Sequence, residues 1–388
     1  MFRVLAIAAP LLALAAIEVL LRIADYGHDG RFFRPTTLNG RPVLTENSRF
    51  GQRFFPAAVA RTPQPVALAS RKAPGTQRVF VFGESAAMGD PDPAFGLPRM
   101  LQAMLELSFA SNRFEVINAA MTAINSHVIR EIARDCAPLQ GDVWVVYMGN
   151  NEVIGPFGGG TVFGRQAPSL TFIRMTLWLK RFRVVQLIAS ARQPSSARWK
   201  GLESFVEHEV TRDDPRMQKV YANFRENLRD IVELGTESGA RVIVSTVGVN
   251  LEHPPFGSRL RSRLSSEQET AFKAALAQGI DLAGRGEFFK AQEALLGAQQ
   301  IAGGTNHGHA ELYYHLGRLE MAFGRREKAR ALWKSATDHD TLRFRADSVV
   351  NEILRVAATG STGQVRFVDG AEALTTTSSH SFGRRFFH

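Results

Sequence analysis

Two apolar runs in this chain end on residues that could do chemistry. "RVFVFG" (78–83) runs into Glu84 and Ser85, and "DVWVVYMG" (142–149) runs into Asn150, Asn151 and Glu152. A serine with a glycine before it and small residues behind it is either an ordinary tight turn or a nucleophile held at the end of a strand. A nucleophilic serine needs a base to take its proton and donors to hold the oxyanion. An amide side chain just past an apolar strand, as at Asn151, suits a shared site of that kind.

The elements that must position these residues are legible from periodicity. Besides the two runs above, "FEVINAAM" (114–121), "RVIVSTVG" (241–248) and "VRFVDG" (365–370) read as strands. Helical patterns lie between them, over about 97–109, 126–135 and 216–238. Short strands that are apolar on both faces and separated by helices predict an α/β fold with a parallel five-stranded sheet covered by helices on both sides. In such a sheet, reactive groups collect at the carboxyl ends of the strands.

On these residues the chain resembles the SGNH hydrolases, also called GDSL esterases. "FGESAAMG" is similar to the family's first block, with GES in place of the usual GDS, and "GNNE" to its third block. The resemblance spans roughly residues 78–155, 240–256 and 340–388 and implies a three-layer α/β fold. It implies Ser85 as nucleophile with its own N–H as one oxyanion donor, the Asn151 side chain as another, and the backbone N–H of Ala123 as the third. Ala123 stands where the family carries a glycine, so the donor survives if the backbone there does not need a positive φ. An acyl ester is the implied substrate, for hydrolysis or acyl transfer, and no cofactor is implied.

The family's base and orienting acid come from a final D-x-x-H block, and no such block follows the fifth strand; Asp369 has no histidine three residues on. The expectation is that this block lies beyond His388 and that the chain as given lacks its base. His127, His253, His380 and His388 are the available histidines nearest the strand ends or the expected position; turn, capping or surface roles suit them better. The competing reading is a tethered binding scaffold without catalysis.

The scaffold reading draws on residues 266–339, where strand signals are absent. Gly279, Ala291, Leu295 and Ala298 recur at the same internal spacing as Gly317, Ala329, Trp333 and Ala336. The pattern resembles a tetratricopeptide repeat, in which small residues let two antiparallel helices approach. Two repeats bury too little to stand alone, so they read as a helical-hairpin insert docked on the sheet domain, able to take a protein partner.

Residues 4–21, "VLAIAAPLLALAAIEVLL", form an apolar helix about 27 Å long, enough for a bilayer core. Glu18 can pair with Arg22 near its far end. Ala13-Leu14-Ala15 offers a signal-peptidase site, but the apolar run continues past it, favouring an uncleaved anchor over a cleaved signal; a buried soluble helix is the third reading. Both leading readings place the remainder outside the cytoplasm, in the periplasm if the cell has one. Residues 26–77 read as a connector. The segment 171–200 is basic and apolar by turns: either a helix capping the sheet with its basic residues in solvent, or one lying on an anionic membrane.

The net charge of +10 suits an acidic partner, but the basic residues are scattered and no nucleic-acid motif occurs. Cys136 is the only cysteine, which excludes an intramolecular disulfide and a cysteine zinc site and reads as a core residue. Phosphate-loop and dinucleotide motifs are absent. The glycine-rich stretch 155–164 reads as a mobile loop over the site, and His307, His309 and His315 with Glu311 as loop or helix-surface groups, not a metal centre.

Overall fold

The computed structural model describes residues 2–191, 201–359 and 363–377. The apolar N-terminal run forms helix α1 (Phe2–Ile23), with Pro10 inside it. Among the described residues no helix is long and apolar enough to cross a membrane. The anchor expected over residues 4–21 falls partly on residues 1–8, whose side chains lie outside the described residues.

Residues 26–77 are more than a connector. They form a small antiparallel sheet of β1 (Phe33–Leu38), β2 (Arg41–Glu46) and β3 (Ala67–Leu68). Phe32, Phe33, Phe50, Phe54, Phe55 and Leu68 sink into the main core. The aromatic pairs, spaced too irregularly to signal an element, are what attach this segment.

The main sheet follows: β4 (Thr76–Gly83), β5 (Arg113–Asn118), β6 (Val143–Tyr147), β7 (Arg241–Ser245) and β8 (Val365–Val368), all parallel, in the order β5-β4-β6-β7-β8. The fold is α/β, with β4 and β6 side by side at the centre. Between β4 and β5 lie α2 (Ser85–Met88) and α3 (Leu97–Ser108); α4 (Ser126–Cys136) follows β5. After β6 come α5 (Leu170–Leu179), α6 (Arg183–Ala191) and α7 (Pro215–Glu237). Phe80, Phe82, Trp144, Val146, Val242 and Val244 share one core with apolar residues of α4 and α7. Cys136 belongs to the same core, and burial holds its thiol well above the ordinary range.

Right-handed crossovers place α3 on the opposite face, because β4 to β5 runs the other way along the sheet. That face is less covered than the two-sided apolar pattern predicted: Val143, Val145 and Ile243 are half-buried.

Between β7 and β8 stand α8 (Ser266–Gly284), α9 (Phe288–Ile301), α10 (Ala310–Ala322) and α11 (Arg326–His339), then α12 (Ser348–Thr359); α13 (Gly370–Thr377) follows β8. Each copy of the sequence repeat is itself a hairpin, α8 on α9 and α10 on α11, so the insert is two hairpins rather than one. The repeated glycines sit at the closest approach: a Cβ on Gly279 would meet Leu295 at 2.5 Å, and one on Gly317 would meet Trp333 at 2.6 Å.

Three readings change on the folded chain. The basic segment 171–191 is two short helices, and its cations are only partly in solvent: Arg174 pairs with Asp230 at 2.8 Å, and Lys180 Nζ donates to the Arg53 carbonyl at 3.0 Å; residues 192–200 lie outside the described residues. The glycine-rich stretch 155–164 is packed, with Gly160 N–H on the Val153 carbonyl and Arg216 on the Gly159 carbonyl, because glycines let its backbone lie against Val153 and α7. His307 and His309 are buried at the start of α10, where His309 Nδ1 accepts the Leu312 amide and His307 Nδ1 the His309 amide. Desolvation keeps both neutral, with pKa values near 3 for His307 and 4 for His309. No group that could hold a metal ion occurs among the described residues.

Candidate active site

The turn from β4 into α2 sets the position of Ser85. Gly83 pairs with Tyr147 in the β4–β6 register, and a Cβ there would meet the Tyr147 carbonyl at 2.2 Å and Ala87 at 2.4 Å. Only glycine lets the strand pass its neighbour this closely and turn at once into a helix. Glu84 stays extended, and Ser85 is the first residue of α2. Its hydroxyl has no hydrogen-bond partner among the described residues, nor does its N–H, which at a helix start has no intrahelical acceptor.

Ala123 lies in the turn between β5 and α4 with φ 62°, in the left-handed region. The condition attached to that position in the sequence therefore fails: the backbone does take a positive φ, and an alanine bears it. Among the described residues its N–H also has no acceptor. Asn151 is 7% exposed, and its side-chain amide makes no hydrogen bond among the described residues.

Ser85, Ala123 and Asn151 line one cavity of about 260 Å³. The rest of its wall is mostly apolar, with Phe55, Ile154, Phe163, Phe205 and Phe344 prominent. The rings pack edge to face in series: Phe55 on Phe163 at 4.9 Å, Phe163 on Phe205 at 6.1 Å, Phe205 on Phe344 at 5.3 Å. These phenylalanines come from three loops and the 3-10 helix Gly201–His208, and nothing in their local sequence marks them as neighbours. Arg61 is the charged residue of the lining.

Two buried carboxylates fix the frame. Glu84 accepts the amides of Gly149 at 3.0 Å, Asn150 at 3.1 Å and Asn151 at 3.4 Å. Glu152 accepts the Ser126 amide and the Ser126 hydroxyl, each at 2.8 Å, and so holds the start of α4. Burial raises Glu84 to about 8, with the nearby Glu152 adding to the effect, and burial raises Glu152 to about 7. Sequence reading left both without a role; their signal was an acidic residue directly beside each candidate site residue. Gly149, φ 144°, admits the turn, and a Cβ there would meet Val350 at 2.5 Å.

The histidines lie elsewhere. His127 is buried in the first turn of α4, 2.8 Å from the Asn227 amide, not at the surface; desolvation, then Arg174 and Arg130, lower it to about 3. His253 is exposed, with Nδ1 2.7 Å from the Pro254 carbonyl. Asp369 accepts the Thr246 hydroxyl at 2.7 Å and pairs with Arg355 at 2.8 Å. None of these three lines the Ser85 cavity. His380 and His388 lie outside the described residues.

No family model, curated protein or solved structure matches the chain.

Proposed function

We propose that this protein is an SGNH-type serine hydrolase or acyltransferase acting on ester bonds. One observation carries the reading: a serine hydroxyl and three donors without acceptors among the described residues, the Ser85 N–H, the Ala123 N–H and the Asn151 amide, belong to residues on one small cavity. Ser85 and Ala123 are half-buried, so their donors stand open on the cavity wall, where an oxyanion entering the cavity can accept from them. In the proposed reaction the Ser85 oxygen adds to the ester carbonyl. The three donors stabilise the oxyanion, and the alcohol departs with a proton. Water or a second alcohol then takes the acyl group from Ser85. The cavity wall among the described residues holds no imidazole or carboxylate, so the proton acceptor has to come from elsewhere in the protein.

The apolar rings suit the acyl side of the substrate. A tether through α1 is supported by the exposure of Leu11, Leu12, Leu14, Val19, Leu20 and Ile23, and would put the cavity on the extracytoplasmic side of a membrane. The paired hairpins, with Phe289 exposed on α9, suit a protein partner.

The test is turnover of short-chain acyl esters by the full-length natural chain and by Ser85→Ala. Loss of turnover in the variant is expected; equal turnover by both refutes the reading.

A further inference from the structure

At the foot of α1, far along the chain from Ser85, a second cavity of about 290 Å³ is lined by Arg22, Arg31, Arg181, Arg183, His28 and Trp178, with Asp29 as its acidic residue. Arg183, the first residue of α6, is 9% exposed. It makes no ion pair among the described residues, and its Nη1 has no acceptor. His28 is equally buried, and its Nδ1 is also without a partner.

Among the described residues no nearby carboxylate pairs with Arg183. Glu18 takes Arg22 Nε at 2.8 Å and the Val184 amide at 3.0 Å. Asp29 accepts the Arg31 amide at 3.1 Å, and Asp25 is exposed. Burial and the neighbouring Arg22 both work against the Arg183 charge, Asp29, Asp25 and Glu18 only partly offset them, and a buried guanidinium without its counter-ion is strongly unfavourable.

We propose that this cavity binds a phosphate group, with Arg183 as its buried anchor and Arg22, Arg31 and Arg181 closing over it. Several guanidinium forks suit an anion with several charged oxygens better than a single carboxylate. The phosphate comes either from a lipid headgroup or from solution. Trp178, 55% exposed on the cavity rim, is of the residue type enriched where a protein meets the headgroup layer, and Leu20 and Ile23 are exposed on the adjoining turn of α1.

The experiment is thermal unfolding of the full chain in a neutral detergent, with four additions: sodium phosphate, sodium chloride at the same ionic strength, short-chain phosphatidylglycerol, and phosphatidylcholine of the same chain length. Phosphate or phosphatidylglycerol is expected to raise the midpoint by about 2–4 °C over its control. A response to inorganic phosphate assigns a soluble ligand, and one confined to phosphatidylglycerol assigns the headgroup. Arg183→Met is expected to be at least as stable as the native chain without additions, since it removes a buried charge that is only partly compensated, and to lose the response. Arg31→Met with Arg181→Met, both at exposed positions, should weaken it several-fold; equilibrium dialysis with labelled orthophosphate reads binding directly. Equal midpoints with each probe and its control, or a full response in Arg183→Met, overturns the proposal.

Discussion

Glu84 and Gly149 are 65 residues apart in the chain and joined by the Glu84 carboxylate, both of whose oxygens lie 3.0 Å from the Gly149 nitrogen. The residue before Ser85 thereby holds the loop that carries Asn151. Glu152, on that same loop, holds Ser126 three residues beyond Ala123. The ends of β4, β5 and β6 are stitched by two acidic side chains, which tie together the three turns that carry the candidate donors.

That arrangement predicts a pH dependence of stability. The folded pKa of Glu84 is about 8, against 4.5 for the free group. A raised carboxylate means that the folded state holds its proton more tightly, so this contribution is complete below about pH 4.5 and is lost as pH rises through about 8. Glu152 acts in the same direction up to about 7. The urea midpoint of the native protein is expected to fall between pH 5 and 8, and Glu84→Gln to flatten much of that fall. Glu84→Ala strands three amides and should cost roughly 3 kcal/mol or more at any pH. A midpoint that rises over this range would contradict the assignment.

Truncation of the candidate donor separates binding from chemistry. The Asn151 amide has no partner to lose among the described residues, so Asn151→Ala should leave the melting temperature within about 2 °C. If the amide holds an oxyanion, kcat for short acyl esters should fall by about 10²–10³ with KM little changed. A rise in KM with kcat intact would make Asn151 a ground-state contact instead.

The five strands and the helices between them were legible because each is a short apolar run or an amphipathic pattern closed by turn residues. Ser85 and Asn151 were legible because each follows such a run directly. The cavity wall was not: Phe55, Phe163, Phe205 and Phe344 meet only through tertiary packing. The reach of residues 26–77 into the core was hidden for a related reason. Arg53, buried and paired with Glu131 at 2.6 Å, finds its partner 78 residues away, which no local pattern marks.

Ala123 offers a stability test at the site itself. A left-handed alanine costs about 1–2 kcal/mol that glycine does not, offset by the larger entropy glycine loses on folding. Ala123→Gly should therefore stabilise the protein by a few tenths to about 1 kcal/mol. It keeps the backbone N–H, so esterase activity should survive. A destabilised variant would show that the methyl group's packing outweighs the strain.

The two repeat glycines should respond differently to the same change. Alanine in a helix is favoured over glycine by about 1 kcal/mol, and against this stands the new contact. At Gly279 the atoms met are Leu295 Cδ2 at 2.5 Å and Cγ at 2.6 Å; this aliphatic side chain is held by no hydrogen bond and can yield by shifting as a whole, so Gly279→Ala should cost no more than about 1 kcal/mol net. At Gly317 the atoms met are Trp333 Cδ1 and Nε1. That indole donates to the Tyr314 carbonyl at 3.2 Å and packs with Leu251 and Ala329, which ties α11 to the loop after β7. It cannot retreat without breaking that junction, so Gly317→Ala should cost about 1–3 kcal/mol in chemical denaturation. Adding Trp333→Leu, the residue type at the equivalent position of the first copy, should remove the clash. The loss in the double variant should then be no greater than that of Trp333→Leu alone; additive losses would show that the glycine serves something other than the indole.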